Sequence, residues 1–354
     1  MHNVRLTHKE IEIEKICEAG HKLMEFVRAN HIDDYVLLRT CNRAELYLNG
    51  ASASPPDGFI FENGERAFKH LLRVACGLES FVIGETEILS QLKDAYHTAK
   101  MEGRCSSELG RYFEAAIKVG KMVRRETKIS EGKVSAVSLA FDHVHDLLGN
   151  LEGKKVLVIG AGEIGTKVAK ALKGQKVEKI LVANRGYERA IELAREIGGS
   201  AYQLSHLDTL LQGVEIVICA TSAPHYILTG ERIRPIKQKL VVVDLSVPRN
   251  VDESIKEFEN VKLITFKDLA ERANKNLKMR MGEVKRVEKI IEQEIKRDKD
   301  DLRELYKRAE EVRRKEVEKA LRLLASRPPE KVIEDLSKVL VKKLYHPLRE
   351  GSKR

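Results

Sequence analysis

The sequence predicts a multidomain α/β protein that ends in a long helical arm, and three observations carry that prediction. Residues 155–184 read as strand, glycine-rich loop, helix and strand, with Val156, Leu157, Val158 and Ile159 as one continuous aliphatic run. Such a run suits a parallel strand buried on both faces. Residues 35–48 are two apolar runs about a short polar turn, the pattern of a hairpin. From Lys267 onward, apolar residues recur at spacings of three and four in a highly charged background, as in an amphipathic helix. The 354 residues suffice for about two or three domains, and a 42% hydrophobic content supplies their cores. Trp is absent and aromatics make up 5%, so aliphatic side chains must fill those cores.

Residues 1–149 read as an α+β unit. Glu10 to Ala29 is a helix candidate whose apolar set is Ile11, Ile13, Ile16, Leu23, Phe26 and Val27. Residues 51–58, rich in Ser, Pro and Gly, form a loop. Glu65 to Gly77 is a second helix with Phe68, Leu71, Leu72, Ala75 and Leu78 on its buried stripe. A third helix starts after Gly84 and runs past Gln91 and Tyr96. Leu109 to Arg125 is a fourth, ending in Lys121, Arg124 and Arg125, a basic face that could meet RNA phosphate. Val134 to Leu148 is a fifth, closed by Gly149.

Residues 150–266 form the parallel-sheet domain. Gly160-Ala161-Gly162-Glu163-Ile164-Gly165 follows the first strand directly. Gly160 permits the tight turn, Gly162 lets the backbone approach a pyrophosphate, and Gly165 lets helix pack on strand. Set between two strands and a helix, this is the dinucleotide fingerprint of a Rossmann-type unit. The second strand ends in Asn184-Arg185, where NAD-binding proteins carry an acid. An arginine there suits a 2′-phosphate, so NADPH is expected over NADH. Glu215 to Ala220 and Leu240 to Asp244 are further strands. Thr221 and Ser222 follow the first of these, at the strand ends where such sheets bind ligands. Residues 267–299 are expected to form a spinal helix with a break or bend at Arg297 to Asp301. Residues 300–354 are expected to be a helical dimerisation module, because the stripe from Leu302 to Leu324 and that of Val332, Leu336, Val339, Leu340 and Leu344 cannot be buried within one helix.

The net charge of +10 suits a polyanionic partner such as RNA, although a solvated surface gives the same count. The five cysteines are scattered without a C-x-x-C pair, which favours a reducing, cytoplasmic setting over a disulfide frame or metal ribbon. No apolar run approaches bilayer length, so no membrane association is expected, and no ligand spacing implies a metal.

One thiol stands out. Cys41 lies in the hairpin turn between Thr40 and Asn42, and Arg39 and Arg43 bracket it. Cations beside a thiol favour the thiolate, so Cys41 is a candidate nucleophile. The rival reading is a small buried hydrophobe.

Thr40-Cys41-Asn42-Arg43 followed by Glu45 resembles the active-site motif of glutamyl-tRNA reductases. The likeness extends through Gly77-Leu78-Glu79-Ser80, Gly84-Glu85, the dinucleotide loop, Ala220-Thr221-Ser222 and Asp244-Leu245. It implies NADPH-dependent reduction of glutamyl-tRNA(Glu) to glutamate-1-semialdehyde, the first step of tetrapyrrole biosynthesis, through a Cys41 thioester. It also implies a homodimer, and the aminotransferase that consumes the aldehyde becomes a candidate partner. His70 falls off its helix stripe, and pattern alone makes it an exposed histidine. The resemblance makes it an activity-critical residue ten positions before Ser80, expected to be neutral among Arg66, Lys69 and Arg73. The resemblance further implies a substrate pocket of Thr40, Asn42, Arg43, Ser80, Glu85, Thr86, Glu87 and Gln91. In that pocket Arg43 clamps a carboxylate, and the acids, otherwise an ordinary acidic first turn, sense an amino group. Two rivals fit parts of the chain. One is an NADP-dependent dehydrogenase of the shikimate type, in which Cys41 is structural. The other is a basic coiled-coil RNA-binding protein without catalysis.

Overall fold

The structure, a computed structural model, describes residues 1–12, 15–50, 54–131, 135–275 and 277–351. Ile13, part of the 51–58 loop and Val134 fall outside that set, as do the side chains of Leu277 and Leu344.

The N-terminal domain is built on a four-stranded antiparallel sheet of β1 (His2–Thr7), β2 (Tyr35–Thr40), β3 (Arg43–Leu48) and β4 (Ile60–Asn63), in the order β2-β3-β1-β4. Helix α1 (Ile16–Ala29) covers one face; it starts six residues later than the pattern suggests. Helices α2 (Gly64–Ala75), α3 (Glu87–Met101) and α4 (Ser107–Glu126) cover the other. Strand side chains alternate faces, and β3 obeys that rule. Ala44, Leu46 and Leu48 pack toward α1, while Arg43, Glu45 and Tyr47 point toward the other layer. All six residues of β3 are buried, so a central strand carries polar groups into the core.

Helix α5 (Ala136–Leu148), opened by a Ser135–Ser138 capping box, leads to the second domain. Its buried residues Leu139, Ala140, Phe141 and Val144 share that domain's core with Val156, Val158 and Val168. The second domain has a six-stranded parallel sheet. In chain order it runs β5 (Lys155–Ile159), α6 (Glu163–Leu172), β6 (Lys179–Asn184), α7 (Tyr187–Ile197), β7 (Ser200–Gln203), α8 (Leu207–Leu211), β8 (Ile216–Cys219), α9 (Gly230–Ile233), β9 (Leu240–Asp244), β10 (Val261–Ile264) and α10 (Phe266–Lys275). The spatial order β10-β9-β8-β5-β6-β7 reverses direction between β5 and β8. Ligands bind at that switch point, off the carboxyl ends of the strands.

The arm is α11 (Leu277–Leu323) and α12 (Pro329–Gly351). The expected break at Arg297 to Asp301 is absent: α11 is one uninterrupted helix of 47 residues. Ion pairs three residues apart hold the charged stretch together, Arg297 to Glu294 and Arg303 to Asp300. Two more tie it to the N-terminal domain, Arg111 to Asp298 and Lys299 to Glu65. The apolar register that lapses there is replaced by this charge pairing. Val287, Ile291 and Ile295 pack on the α2–α4 layer. Beyond them Leu302, Leu305, Tyr306, Leu321, Leu324, Ile333 and Val341 are exposed. No helix among the described residues is long and apolar enough to cross a membrane.

Candidate functional site

Cys41 and Asn42 are the two turn residues of the β2–β3 hairpin, since Thr40 pairs with Arg43. The Asn42 amide donates to Thr40 Oγ1 at 3.1 Å, and the His8 amide donates to the Asn42 carbonyl at 2.9 Å. The thiol is thereby fixed on a rigid tip, half-buried. A cleft of about 950 Å³ opens beside it. Thr40, Cys41, Glu87 and Gln91 line one wall; Gly160 to Ile164, Asn184, Arg185, Thr221 and Ser222 line the other. Two domains whose motifs lie more than a hundred residues apart thus share one cavity.

The dinucleotide wall follows from its glycines. Gly160 has φ of +110°, and a Cβ there would lie 2.3 Å from the Ala220 carbonyl oxygen. A Cβ on Gly165 would lie 2.1 Å from the Gly160 oxygen, whereas one on Gly162 meets nothing within 4 Å. The first two positions are closed by backbone, and the third leaves open space at the N-terminus of α6, a place suited to pyrophosphate. Asn184, expected with Arg185 at the cofactor's 2′-phosphate, lines the cleft with its amide already engaged. Its Oδ1 accepts from the Ala161 amide and its Nδ2 donates to the Gly186 carbonyl, so it ties the two loops together. Arg185 is exposed on the cleft, and Arg189, one turn on, joins it. Neither has a partner among the described residues, so both are free for a phosphate. Arg189 was legible only as an i+4 position on a helix whose start the sequence left vague.

The electrostatics around Cys41 overturn the expected thiolate. Burial, then the carboxylates of Glu85 and Glu87, push the thiol up to about 12, and Arg43 opposes them weakly. Glu85 is itself pushed up to about 7 by burial and by Glu87. Glu87 at the start of α3 is held by Lys167 of α6 at 2.9 Å, a contact between the two domains. Thr86 is exposed.

Behind the hairpin lies a buried polar cluster. Glu45, 0% exposed, accepts from Tyr47 Oη at 2.5 Å, Arg43 Nη1 at 2.9 Å and His70 Nε2 at 3.1 Å. Burial would raise the Glu45 carboxyl, but His70 and Arg43 hold it well below the usual carboxylate range. His70, expected on the surface among cations, is 7% exposed and bonded to an anion. The sequence missed this because Glu45 and His70 are 25 residues apart. Arg43 is also less free than expected. Nη1 holds Glu45, Nη2 donates to the Glu79 carbonyl at 2.7 Å, and only Nε is without a partner. Asn42 Oδ1 and Ser80 Oγ are buried without a well-formed hydrogen bond; neither residue is part of the cleft lining, so their unused polar capacity lies behind the wall that carries Cys41. Arg124, proposed for RNA, is turned inward: it caps the carbonyls of Ala75, Gly120 and Glu85. Lys121 and Arg125 stay exposed.

Residues 4–127 match the glutamyl-tRNAGlu reductase N-terminal domain family and residues 286–351 its dimerisation domain. Residues 142–272 match shikimate/quinate 5-dehydrogenase, a likeness confined to the nucleotide domain and the helices beside it. A glutamyl-tRNA reductase of Methanothermobacter thermautotrophicus is 40% identical, covering 98% of this chain and 91% of that one. One of Methanocaldococcus jannaschii is 41% identical over 95% and 89%. The solved glutamyl-tRNA reductase of Methanopyrus kandleri superposes with a TM-score of 0.51 at 35% identity, covering 99% of this chain and 96% of that one. With that identity over nearly the whole of both chains, and with the N-terminal and dimerisation segments each matched, the chain belongs to the glutamyl-tRNA reductase family.

Proposed function

We propose that this enzyme reduces glutamyl-tRNA(Glu) to glutamate-1-semialdehyde through an acyl group carried on Cys41. The observation that supports this most is the single cleft lined by both the Cys41 tip and the dinucleotide loop. NADPH fits the second wall through the Gly162 opening, Arg185 and Arg189, and when bound it supplies the hydride.

Cys41 Sγ attacks the ester carbonyl carbon. The C–S bond forms and the bond to the ribose oxygen breaks; the proton that Sγ gives up balances the one the departing ribose oxygen gains, with His70 as the acid in this reading. A nicotinamide held by the dinucleotide wall would supply the hydride that turns the Cys41 thioester into the aldehyde; Cys41 Sγ is the leaving group of that reduction and takes up a proton again to return to the resting thiol. A thioester accepts hydride more readily than an ester, so the covalent stage divides one hard step into two easier ones. The high titration of Cys41 fits this scheme. The substrate's ammonium, entering between Glu85 and Glu87, offsets the two negative charges that add to burial in holding the thiol proton in place. Binding and nucleophile activation are then one event. Thr40 and Gln91 satisfy the remaining polar atoms of the aminoacyl group from the cleft wall, with Asn42 and Ser80 behind it, and Arg43 braces the pocket through Glu45. The Lys167–Glu87 ion pair ties the two domains across the cleft, and in this reading it helps keep them close enough for hydride to reach the thioester. We extend the proposal to a cytosolic homodimer that hands its reactive aldehyde to the aminotransferase consuming it.

Incubation with charged tRNA and NADPH should yield aldehyde. With radiolabelled glutamyl-tRNA and no NADPH, the wild type should retain label on Cys41. A Cys41→Ser variant that keeps full activity would end the thioester reading.

A further inference from the structure

Asn250, in the loop that follows β9, is 0% exposed. It does not line the cleft, yet it holds the segment that does. Its Oδ1 accepts from the Thr221 hydroxyl, and its Nδ2 donates to the carbonyls of Ala223 at 2.9 Å and His225 at 3.1 Å. Its own carbonyl accepts from the amides of Ile227 at 2.7 Å and Leu228 at 3.0 Å. One buried residue therefore fixes five positions of the stretch 221–228, between β8 and α9.

Asn250 is itself held from the sheet. Its amide and that of Val251 each donate to Asp244 Oδ2 at 3.0 Å, and the Ser246 amide donates to Asp244 Oδ1 at 3.0 Å. The Ser246 hydroxyl accepts from the Thr221 amide at 3.1 Å, and the Thr221 hydroxyl accepts from the Ala223 amide at 3.0 Å. Asp244 is the last residue of β9 and is buried. A carboxylate at a strand end thus anchors the loop after β9, and Asn250 of that loop anchors the loop after β8.

The place of residues 221–228 in the cleft gives this arrangement its consequence. Arg185, free for a phosphate, follows β6 on one side of β5; residues 221–228 follow β8 on the other side. A dinucleotide lying across that switch point with its 2′-phosphate at Arg185 has its nicotinamide over the ends of β8 and β9. Thr221, Ser222, Ala223, Pro224 and His225 line the cleft there, in the same cavity as Cys41.

We propose that Asn250 is a positioning residue for hydride transfer: by pinning residues 221–228 it sets the place of the nicotinamide relative to Cys41 without touching the cofactor. This rests on the NADPH-dependent reading above and deepens it. An amide side chain meets the need, because its oxygen accepts from a hydroxyl while its nitrogen donates to two carbonyls. A hydrocarbon there leaves the hydroxyl and both carbonyls buried and unpaired. The loop then relaxes from its place, while the glycine loop, Arg185 and the Cys41 hairpin keep theirs, since none of them bonds to Asn250.

The test uses the full-length enzyme carrying Asn250→Ala. Without cofactor, hydrogen exchange should quicken at the amides of Ala223, Ile227 and Leu228 and stay unchanged in β5 and β6. Adenosine 2′,5′-bisphosphate, which has the 2′-phosphate and no nicotinamide, should bind as it does to the wild type. NADPH should weaken about threefold to tenfold, the cost of ordering the loop on binding. Label from glutamyl-tRNA should accumulate on Cys41 without NADPH as fast as in the wild type. Reduction of that acyl group in a single turnover should slow roughly ten- to hundredfold, the scale for a reacting group misplaced by about 1 Å. Thr221→Val, which puts a methyl where Asn250 holds a hydroxyl, should move the same measurements in the same direction by less, and Thr221→Ser should behave as the wild type. This pair decides the matter if the alanine variant does not fold. Unchanged loop exchange or an unchanged single-turnover rate overturns the inference. Equal weakening of NADPH and the bisphosphate also overturns it, since the whole nucleotide domain would then have loosened, as does a loss of acylation equal to the loss of reduction. If wild-type Cys41 takes no label, the thioester reading fails, while the exchange data and the affinities for NADPH and the bisphosphate still judge Asn250.

Discussion

Replacing Glu45 with Gln tests the buried cluster most directly. The carboxylate is 0% exposed, Arg43 is 1% exposed, and four short contacts converge on Glu45 from Tyr47, Arg43 and His70. The amide keeps the volume but removes the charge that balances the Arg43 guanidinium. Breaking one partner of a buried pair costs about 3–5 kcal/mol, a large share of the ~5–15 kcal/mol by which a domain is stable. Urea unfolding at pH 7, with both proteins at one concentration because the dimer couples stability to concentration, should show that loss. The pH dependence gives a second reading. Glu45 is held below its ordinary 4.5, so its contribution is fully present above that value and fades as pH falls through the lower, folded-state value. The gap between wild type and variant should be constant from about pH 8 to 5 and narrow in acid. A loss under about 1 kcal/mol, or a gap that widens on acidification, would refute the cluster as the brace of the site.

Other expectations rest on the same geometry. Cys41 should be alkylated by iodoacetamide about tenfold faster per pH unit from 7 to 10, because its thiol titrates at about 12; a plateau by pH 8 would contradict this. Glu87→Gln removes the like charge beside Glu85, so Glu85, now near 7, should titrate lower. Substrate affinity, which needs the Glu85 carboxylate and weakens in the wild type below about pH 7, should persist to lower pH in the variant, and an unmoved KM profile would count against the role. Arg185→Glu should weaken NADPH at least tenfold more than NADH, Arg189→Glu should act in the same direction, and equal losses for both cofactors would dismiss them as phosphate ligands.

The sequence determined what depends on neighbours within a few residues. The aliphatic run of β5, the glycines of the loop after it and the alternation through β3 are local patterns, and each became the element its period demands. The hairpin that presents Cys41 was legible for the same reason. What only tertiary structure decided are quantities summed over groups far apart in the chain. Cys41 holds its proton because the fold buries it and brings Glu85 and Glu87 beside it, which together outweigh Arg43. His70 left its surface position because a strand 25 residues earlier carries Glu45 to meet it. Arg124 was lost to RNA when Ala75 and Glu85 offered it carbonyls. Helix α11 passes its apolar gap because Glu65 and Arg111 lie alongside to pair with its charges. Periodicity fixes which face a residue takes, but desolvation and charge depend on what the fold brings to that face.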